Sequence, residues 1–127
     1  MFASIRHKLN VWKSVRREKK KEKTRSPKWQ GVRDSFMEKH PRCAACDSSE
    51  RLQCHHVKPF HLHPELELEE SNLISLCMSP DECHLIFGHS GNFECFNPHV
   101  REQAARAKAD PKHWANLKLE AIKSRQK

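Results

Sequence analysis

The chain has 127 residues, 36% of them hydrophobic, and a mean hydropathy of −0.89, so it can build one modest core that a bound metal would reinforce. Lysine and arginine number 24 against 16 acidic residues, and the formal charge of +8 favours an acidic partner, usually nucleic acid. No apolar run reaches the ~20 residues of a membrane span and no signal-peptide pattern is present, so we expect a cytoplasmic protein with reduced thiols, not a membrane protein.

Residues 1–25 form the first segment of the chain. Apolar residues recur there at helical spacings, and a strongly basic stretch follows over residues 16–25. The pattern predicts a basic N-terminal helical arm. Such an arm is either a solvated, frayed tail or a segment that contacts nucleic-acid phosphates.

A second helix is predicted after the arm. Ser26 suits its N-cap and Pro27 its first helical position, and Pro41 ends it. The apolar residues between them recur at helical spacings and give the helix one packing face. These residues are Trp29, Val32, Phe36 and Met37.

Two short strands are predicted next. Residues 51–55 alternate between polar and apolar side chains, and residues 73–76 form a second strand-like stretch. The loop between them contains two prolines and an acidic run from Glu65 to Glu70. Because acidic side chains repel DNA, we expect the tip of this loop to point away from a duplex.

Three helices are predicted beyond the strands. Residues 83–87 suit a short helix that Gly88 ends, and loop residues follow it. Residues 99–109 form the next helix, and Pro111 begins the last one, which has an apolar face. The predicted class is therefore a small α+β fold.

Four of the cysteines form two pairs. Cys43 and Cys46 are separated by two residues, so both thiolates can reach one ion from a tight turn. Cys77 and Cys83 lie downstream, with five residues between them. Four thiolates suit a closed tetrahedral Zn²⁺ site, which contributes folding free energy. The alternative is four ordinary buried cysteines.

Histidines accompany these cysteines. His55 and His56 end the first predicted strand, where adjacent side chains point to opposite faces, so one imidazole can bind a metal while the other faces a substrate. Asn72 opens the second strand. His84 directly follows Cys83, so a zinc site there would fix the start of its helix.

This order of residues resembles the HNH endonucleases. The resemblance covers residues 26–97 and implies a ββα-metal HNH module with a structural zinc site of four cysteines, flanked by the arm of residues 1–25 and a C-terminal helical extension of residues 98–127. The five residues inside the second cysteine pair depart from the two that are usual in the family, but they can bulge outward without moving the histidine that follows. The runs that carry the resemblance are Cys43-x-x-Cys46, Leu52-Gln53-Cys54-His55-His56-Val57-Lys58-Pro59, Ser71-Asn72-Leu73-Ile74-Ser75-Leu76-Cys77 and Cys83-His84.

The resemblance also implies a role for each residue. His55 and His84 would hold one divalent ion, His56 would be the general base, and Asn72 would brace the loop that carries the base. Neutral imidazole titrates near working pH, so His56 can take a proton from water. The catalytic ion would be Mg²⁺ or Mn²⁺, with Ni²⁺ or Zn²⁺ as alternatives because imidazole ligands favour them.

Several further residues have two interpretations each. His89 follows His84 by five residues and on a regular helix would lie about 140° away, so it joins the metal ligands only if Gly88 breaks the helix. Lys58 either contacts a substrate phosphate or is a solvated loop lysine. His61 and His63, in the same loop, either contact substrate or are simply exposed.

The remaining two cysteines, Cys54 and Cys95, are expected in the core. As a whole, the sequence predicts a metal-dependent endonuclease that nicks or cuts DNA, of a kind frequent in phages and mobile elements. The alternatives are a non-catalytic zinc-finger module that binds DNA, a scaffold whose partners are phage packaging proteins, and a nuclease that acts on RNA. The first alternative requires neither His56 nor Asn72, and the second predicts no metal-dependent cleavage.

Overall fold

The computed structural model describes residues 24–126, so the predicted N-terminal arm lies outside it except for its last two residues. The described chain is a small α+β fold with one two-stranded sheet and several helices. None of the helices among the described residues is long and apolar enough to cross a membrane. In chain order the elements are α1 (Trp29–Lys39), β1 (Leu52–His56), 3-10 turns at Pro64–Leu66 and Glu70–Asn72, β2 (Leu73–Cys77), a π-helical turn (His84–Gly88), α2 (Val100–Ala109), a 3-10 turn at Pro111–His113 and α3 (Trp114–Lys123).

Helix α1 begins at Trp29, two residues later than Pro27, where the sequence predicted its start. A turn precedes it, in which the Ser26 hydroxyl accepts a hydrogen bond of 3.1 Å from the Lys28 amide. Ser26 therefore satisfies an amide in front of the helix, as a cap does, but the chain completes one turn before the helix starts. The helix ends before Pro41, whose ring cannot continue it.

Strands β1 and β2 pair in antiparallel fashion, with Leu52 opposite Cys77 and His56 opposite Leu73. Each strand begins and ends within one residue of its predicted range. All five residues of β2 are buried, whereas the N-terminal half of β1 is partly exposed. The pairing places the two histidines at the end of β1 in the interior, next to the start of β2.

The predicted short helix after β2 has π geometry. It spans His84–Gly88 and is followed by His89. In a π-helical turn the hydrogen bonds join residues five apart, so residues with that spacing lie on nearly the same side. This geometry differs from the regular α-helix that the sequence predicted, and it decides where His89 points.

The C-terminal helices pack against this turn and complete the core. The ring of Phe87, fully buried in the turn, meets the Trp114 ring of α3 edge-on at a centroid distance of 6.0 Å. The Trp114 indole donates a hydrogen bond of 2.9 Å to the Ala107 carbonyl and so joins α3 to α2. Val100 and Ala121 are fully buried beside them. The π-helical turn therefore lies between the sheet and the two last helices.

Candidate metal and active site

The four cysteines of the two predicted pairs converge on one point. Their sulfur atoms all lie within 4.8 Å of one another, although they come from a turn, the end of β2 and the start of the π-helical turn. The Sγ atoms of Cys46 and Cys77 are 3.6 Å apart. A tetrahedral ion with Zn–S bonds of about 2.3 Å separates its sulfurs by roughly 3.8 Å. The cluster, which consists of Cys43, Cys46, Cys77 and Cys83, therefore has the dimensions of a metal site.

The charges of these thiols support the same conclusion. A side-chain hydrogen bond with Cys83 lowers the pKa of Cys43 to about 5, and the same contact raises the pKa of Cys83. Burial raises the pKa of Cys46 to about 12. The close contact of the sulfurs thus opposes ionisation of more than one of them, and a divalent cation would stabilise thiolates in such a cluster.

The wide spacing of the second cysteine pair does not separate its sulfurs. The residues from Met78 to Glu82 lie at the surface as a bulge, while Cys77 and Cys83 on either side are fully buried. The insertion therefore leaves His84 beside the cluster.

A second cluster consists of three histidines. The Nε2 atom of His84 lies 3.1 Å from Nδ1 of His55 and 3.2 Å from Nε2 of His89. One ring nitrogen from each residue lies within 4.8 Å of the other two. His89 joins the cluster because the π-helical turn brings residues five apart to one side, whereas a regular helix would have turned it away.

The protonation of the three rings favours a cation between them. Burial lowers the pKa of His55 and of His89, and it lowers that of His84 to about 4, so all three are neutral near pH 7. The Nδ1–H group of His89 donates to the Cys95 carbonyl at 2.8 Å, which leaves its Nε2 lone pair facing the cluster. Nε2 of His84 carries at most one hydrogen, so it cannot form a good hydrogen bond to both of the ring nitrogens that it faces. A metal ion would instead accept one lone pair from each of the three rings.

Gly88 lets the backbone of the turn approach these rings closely. A Cβ atom at this position would lie 3.2 Å from Cε1 and Nδ1 of His55 and 3.2 Å from Cδ2 of His84. The sequence predicted only that Gly88 ends a helix. Its second role, close approach of the turn to the imidazoles, depends on a tertiary contact that local pattern does not reveal.

His56 occupies a different environment from its neighbour. Its Nε2–H group donates a hydrogen bond of 2.9 Å to the Glu67 carbonyl, and its ring packs against Trp29 with centroids 4.5 Å apart and planes tilted by 32°. The donor role of Nε2 leaves Nδ1 with a lone pair. Burial lowers the pKa of His56, so the ring is neutral at neutral pH.

Asn72 bridges the two ends of the loop that follows β1. Its Oδ1 atom accepts a hydrogen bond of 2.8 Å from the Lys58 amide, and its Nδ2 group donates to the carbonyls of Lys58 (3.1 Å) and Leu66 (3.4 Å). Leu66 directly precedes Glu67, whose carbonyl accepts a hydrogen bond from the His56 ring. The contacts to Lys58 involve its backbone, and the Lys58 side chain is exposed.

The acidic run of this loop does not behave as one unit. Glu65 and Glu70 are exposed, but Glu67 turns inward and is only 5% exposed. Its carboxylate accepts a hydrogen bond of 3.1 Å from the Ser26 amide. Glu67 is therefore buried next to a partner that lies 41 residues away in the chain.

One cleft of about 310 Å³ brings the histidines together. The sequence analysis assigned its arginine only to the basic N-terminal arm and gave its phenylalanines no role in the site, because none of them lies within the recognised motif. Cys95 is buried as predicted, while Cys54 is only half-buried and faces the cleft. His61 also contributes to the wall, whereas His63 is paired with Glu65. The residues that line the cleft are Arg25, Cys54, His55, His56, Pro59, Phe60, His61, His84, His89, Phe93, Cys95 and Phe96.

Comparison with known proteins identifies no relative of this chain. No protein-family model, no curated protein and no solved structure matches it. Its function is therefore inferred from the two clusters and the cleft beside them.

Proposed function

We propose that the protein is a metal-dependent endonuclease of the HNH type that hydrolyses phosphodiester bonds in DNA. The observation that carries the proposal is a single cleft lined by three convergent neutral imidazoles and by His56, a separate histidine with its own backbone anchor. The formal charge of +8 supports a polyanionic substrate.

In this proposal the two clusters bind different ions. The cysteine cluster takes a structural Zn²⁺ ion, because four sulfurs at these distances form a closed tetrahedral donor set. A divalent ion held by His55, His84 and His89 would neutralise charge that develops on the scissile phosphate and its leaving oxygen. Three imidazole donors favour Mn²⁺, Ni²⁺ or Zn²⁺ over Mg²⁺, which prefers oxygen ligands.

His56 acts as the general base. Its hydrogen bond to the Glu67 carbonyl fixes the tautomer and leaves Nδ1 free to accept a proton from water. The oxygen of that water forms a bond to phosphorus as the ester bond to the leaving oxygen breaks. Trp29 fixes the plane of the ring, and Asn72 fixes the loop that carries the Glu67 carbonyl.

Cleavage of supercoiled plasmid tests the proposal. Wild-type protein with Mn²⁺, Ni²⁺ or Mg²⁺ should produce nicked or linear DNA, and excess EDTA should stop the reaction. Replacement of His56 by alanine should slow cleavage at least about 100-fold, the usual contribution of a general base. His99→Ala, which alters an exposed histidine, is the matched control and should cut like wild type.

Two results would contradict the nuclease. One is absence of cleavage with each of these ions, and the other is equal cleavage by His56→Ala and wild type. DNA binding without cleavage would favour the non-catalytic zinc-finger module, because a module that only binds DNA needs no general base.

A further inference from the structure

Arg25 is the last residue of the segment that the sequence assigned to the N-terminal arm, yet it lines the histidine cleft. Its guanidinium carbon lies 4.5 Å from the centre of the Phe60 ring and 5.2 Å from that of Trp29. Trp29 is also the residue against which His56 packs. The arginine and the proposed base therefore share one aromatic support.

A buried carboxylate fixes Arg25 further. Nη1 of Arg25 lies 3.5 Å from Oε2 of Glu67, while Oε1 of Glu67 accepts the Ser26 amide. The backbone carbonyl of the same Glu67 accepts the hydrogen bond from His56. The position of the guanidinium is thus tied to that of the His56 ring through one residue.

The guanidinium retains capacity for a second anion. Its side chain is 47% exposed, and a guanidinium has five N–H donors in a planar fork, of which the contact to Glu67 occupies the Nη1 end. Such a fork matches two phosphate oxygens at once, and aromatic faces hold it without competing for its donors.

From these contacts we propose that Arg25 binds a phosphate of the DNA substrate at the cleft, beside the phosphate on which His56 acts. This inference rests on the proposed nuclease function and adds a substrate-binding residue to it. The competing role for Arg25 is a structural one, in which it only joins the start of α1 to the loop that contains Glu67.

DNA binding in EDTA, measured over a series of salt concentrations, tests the inference without catalysis. A residue that neutralises one phosphate contributes about one to the slope of log affinity against log salt concentration. Arg25→Gln should therefore make this negative slope shallower by about one, and Arg25→Lys should leave it unchanged. Arg106→Gln is the matched control, because Arg106 is also half-exposed and paired with a carboxylate, Glu120 at 2.9 Å, but lies away from the cleft.

Single-turnover cleavage provides the second readout. Arg25→Lys keeps the charge but loses the planar fork, so it should cut at least about tenfold more slowly than wild type, and Arg25→Gln should be slower still. If Arg25→Gln fails to fold, the lysine variant still decides, since it can keep the pair with Glu67.

The outcomes separate the two proposals. If wild type binds and cuts DNA and Arg25→Gln matches it in salt slope and cleavage rate, the proposed role of Arg25 is overturned but the nuclease proposal is not. A lower melting temperature with an unchanged slope shows that Arg25 is only structural and also overturns the inference. Wild type that neither binds nor cuts DNA overturns the nuclease as well.

Discussion

At the scale of single residues, Glu67 connects parts of the site through different atoms. Its backbone carbonyl holds His56, and its carboxylate contacts Arg25 and the Ser26 amide. A change of the side chain therefore leaves the anchor of His56 in place, whereas movement of the loop would disturb all three contacts. The backbone around Glu67 is consequently as important to the site as the side chains that line it.

Gly88→Ala should weaken binding of a divalent ion without unfolding the protein. The added Cβ would lie 3.2 Å from His55 Nδ1 and from His84 Cδ2, so both rings must shift. Misplaced ligands typically lower metal affinity by about 10- to 100-fold. Titration with Co²⁺, followed by its absorption spectrum, measures the effect.

Gly31→Ala is the control for this substitution, because a Cβ there meets nothing within 4 Å. Gly31 lies in α1, so the alanine should stabilise the fold by about 0.5–1 kcal/mol and leave ion affinity unchanged. Equal ion affinity in Gly88→Ala and wild type would show that the close approach of the turn has no role in binding.

Asn72→Ala should destabilise the fold by about 1–3 kcal/mol. The substitution removes the partners that Asn72 provides for the part-buried amide and carbonyl of Lys58, and an unsatisfied buried group costs about 1–3 kcal/mol. Urea unfolding at a fixed zinc concentration measures the loss. Asn92→Ala, at an exposed site where the side chain accepts one amide, should change stability by less than about 1 kcal/mol. Similar losses in the two variants would contradict the bracing role of Asn72.

At the scale of elements, the π-helical turn joins the two side-chain clusters to the core of the described residues. It begins directly after Cys83, contains His84 and Gly88, and is followed by His89. Its buried Phe87 packs on α3. This five-residue turn and the two residues that flank it therefore contribute to both side-chain clusters and to the core, so any distortion of the turn should affect all three.

The cysteine cluster should be necessary for this arrangement to form. Purified protein should contain about one tightly bound zinc per chain. Cys77→Ser should lose that zinc and unfold at a much lower temperature, because the cluster joins the Cys43–Cys46 turn, β2 and the π-helical turn. Zinc analysis and circular dichroism measure both effects.

Cys54→Ser is the matched control, since Cys54 lies on β1 outside the cluster. It should retain the zinc and most of the wild-type stability. A Cys77→Ser protein with full zinc content would contradict the assignment of this cluster as the zinc site.

At the scale of the whole molecule, the last two helices belong to the same core as the sheet. Leu117 of α3 is 6% exposed, whereas Leu119, two residues on, is 56% exposed. Leu117→Ala should lower the free energy of unfolding by about 2–5 kcal/mol, and Leu119→Ala should change it by less than about 0.5 kcal/mol. Thermal or urea unfolding of the two variants compares them directly, and equal stabilities would mean that α3 does not contribute to the core.

Much of this architecture follows from local pattern. Alternating side chains predicted β1, a strand-like stretch at residues 73–76 predicted β2, and the spacing of Cys43 and Cys46 predicted a metal-binding turn. The coarse α+β class and the convergence of the four cysteines are confirmed by the structure. These features are visible in the sequence because strand period and ligand spacing are properties of neighbouring residues.

The remainder depends on contacts between distant residues. Apolar periodicity does not distinguish a π-helical turn from a regular one, so the direction of His89 could not be predicted. Arg25 and Glu67 are 42 positions apart, and neither belongs to a motif. Burial of a glutamate is rare unless it is paired, so nothing in the acidic run distinguishes Glu67 from its neighbours.

The peptide bond between Cys83 and His84 has a thermodynamic consequence for the two clusters. An ion on the cysteines would restrict the backbone that carries His84. Less conformational entropy would then be lost when a second ion binds the histidines. Linkage is reciprocal, and each ion would raise the affinity of the other by the same factor. In a cell, zinc supply would then act as an allosteric effector of the histidine cluster, and occupancy of the histidines would in turn protect the cysteine-bound zinc from chelators.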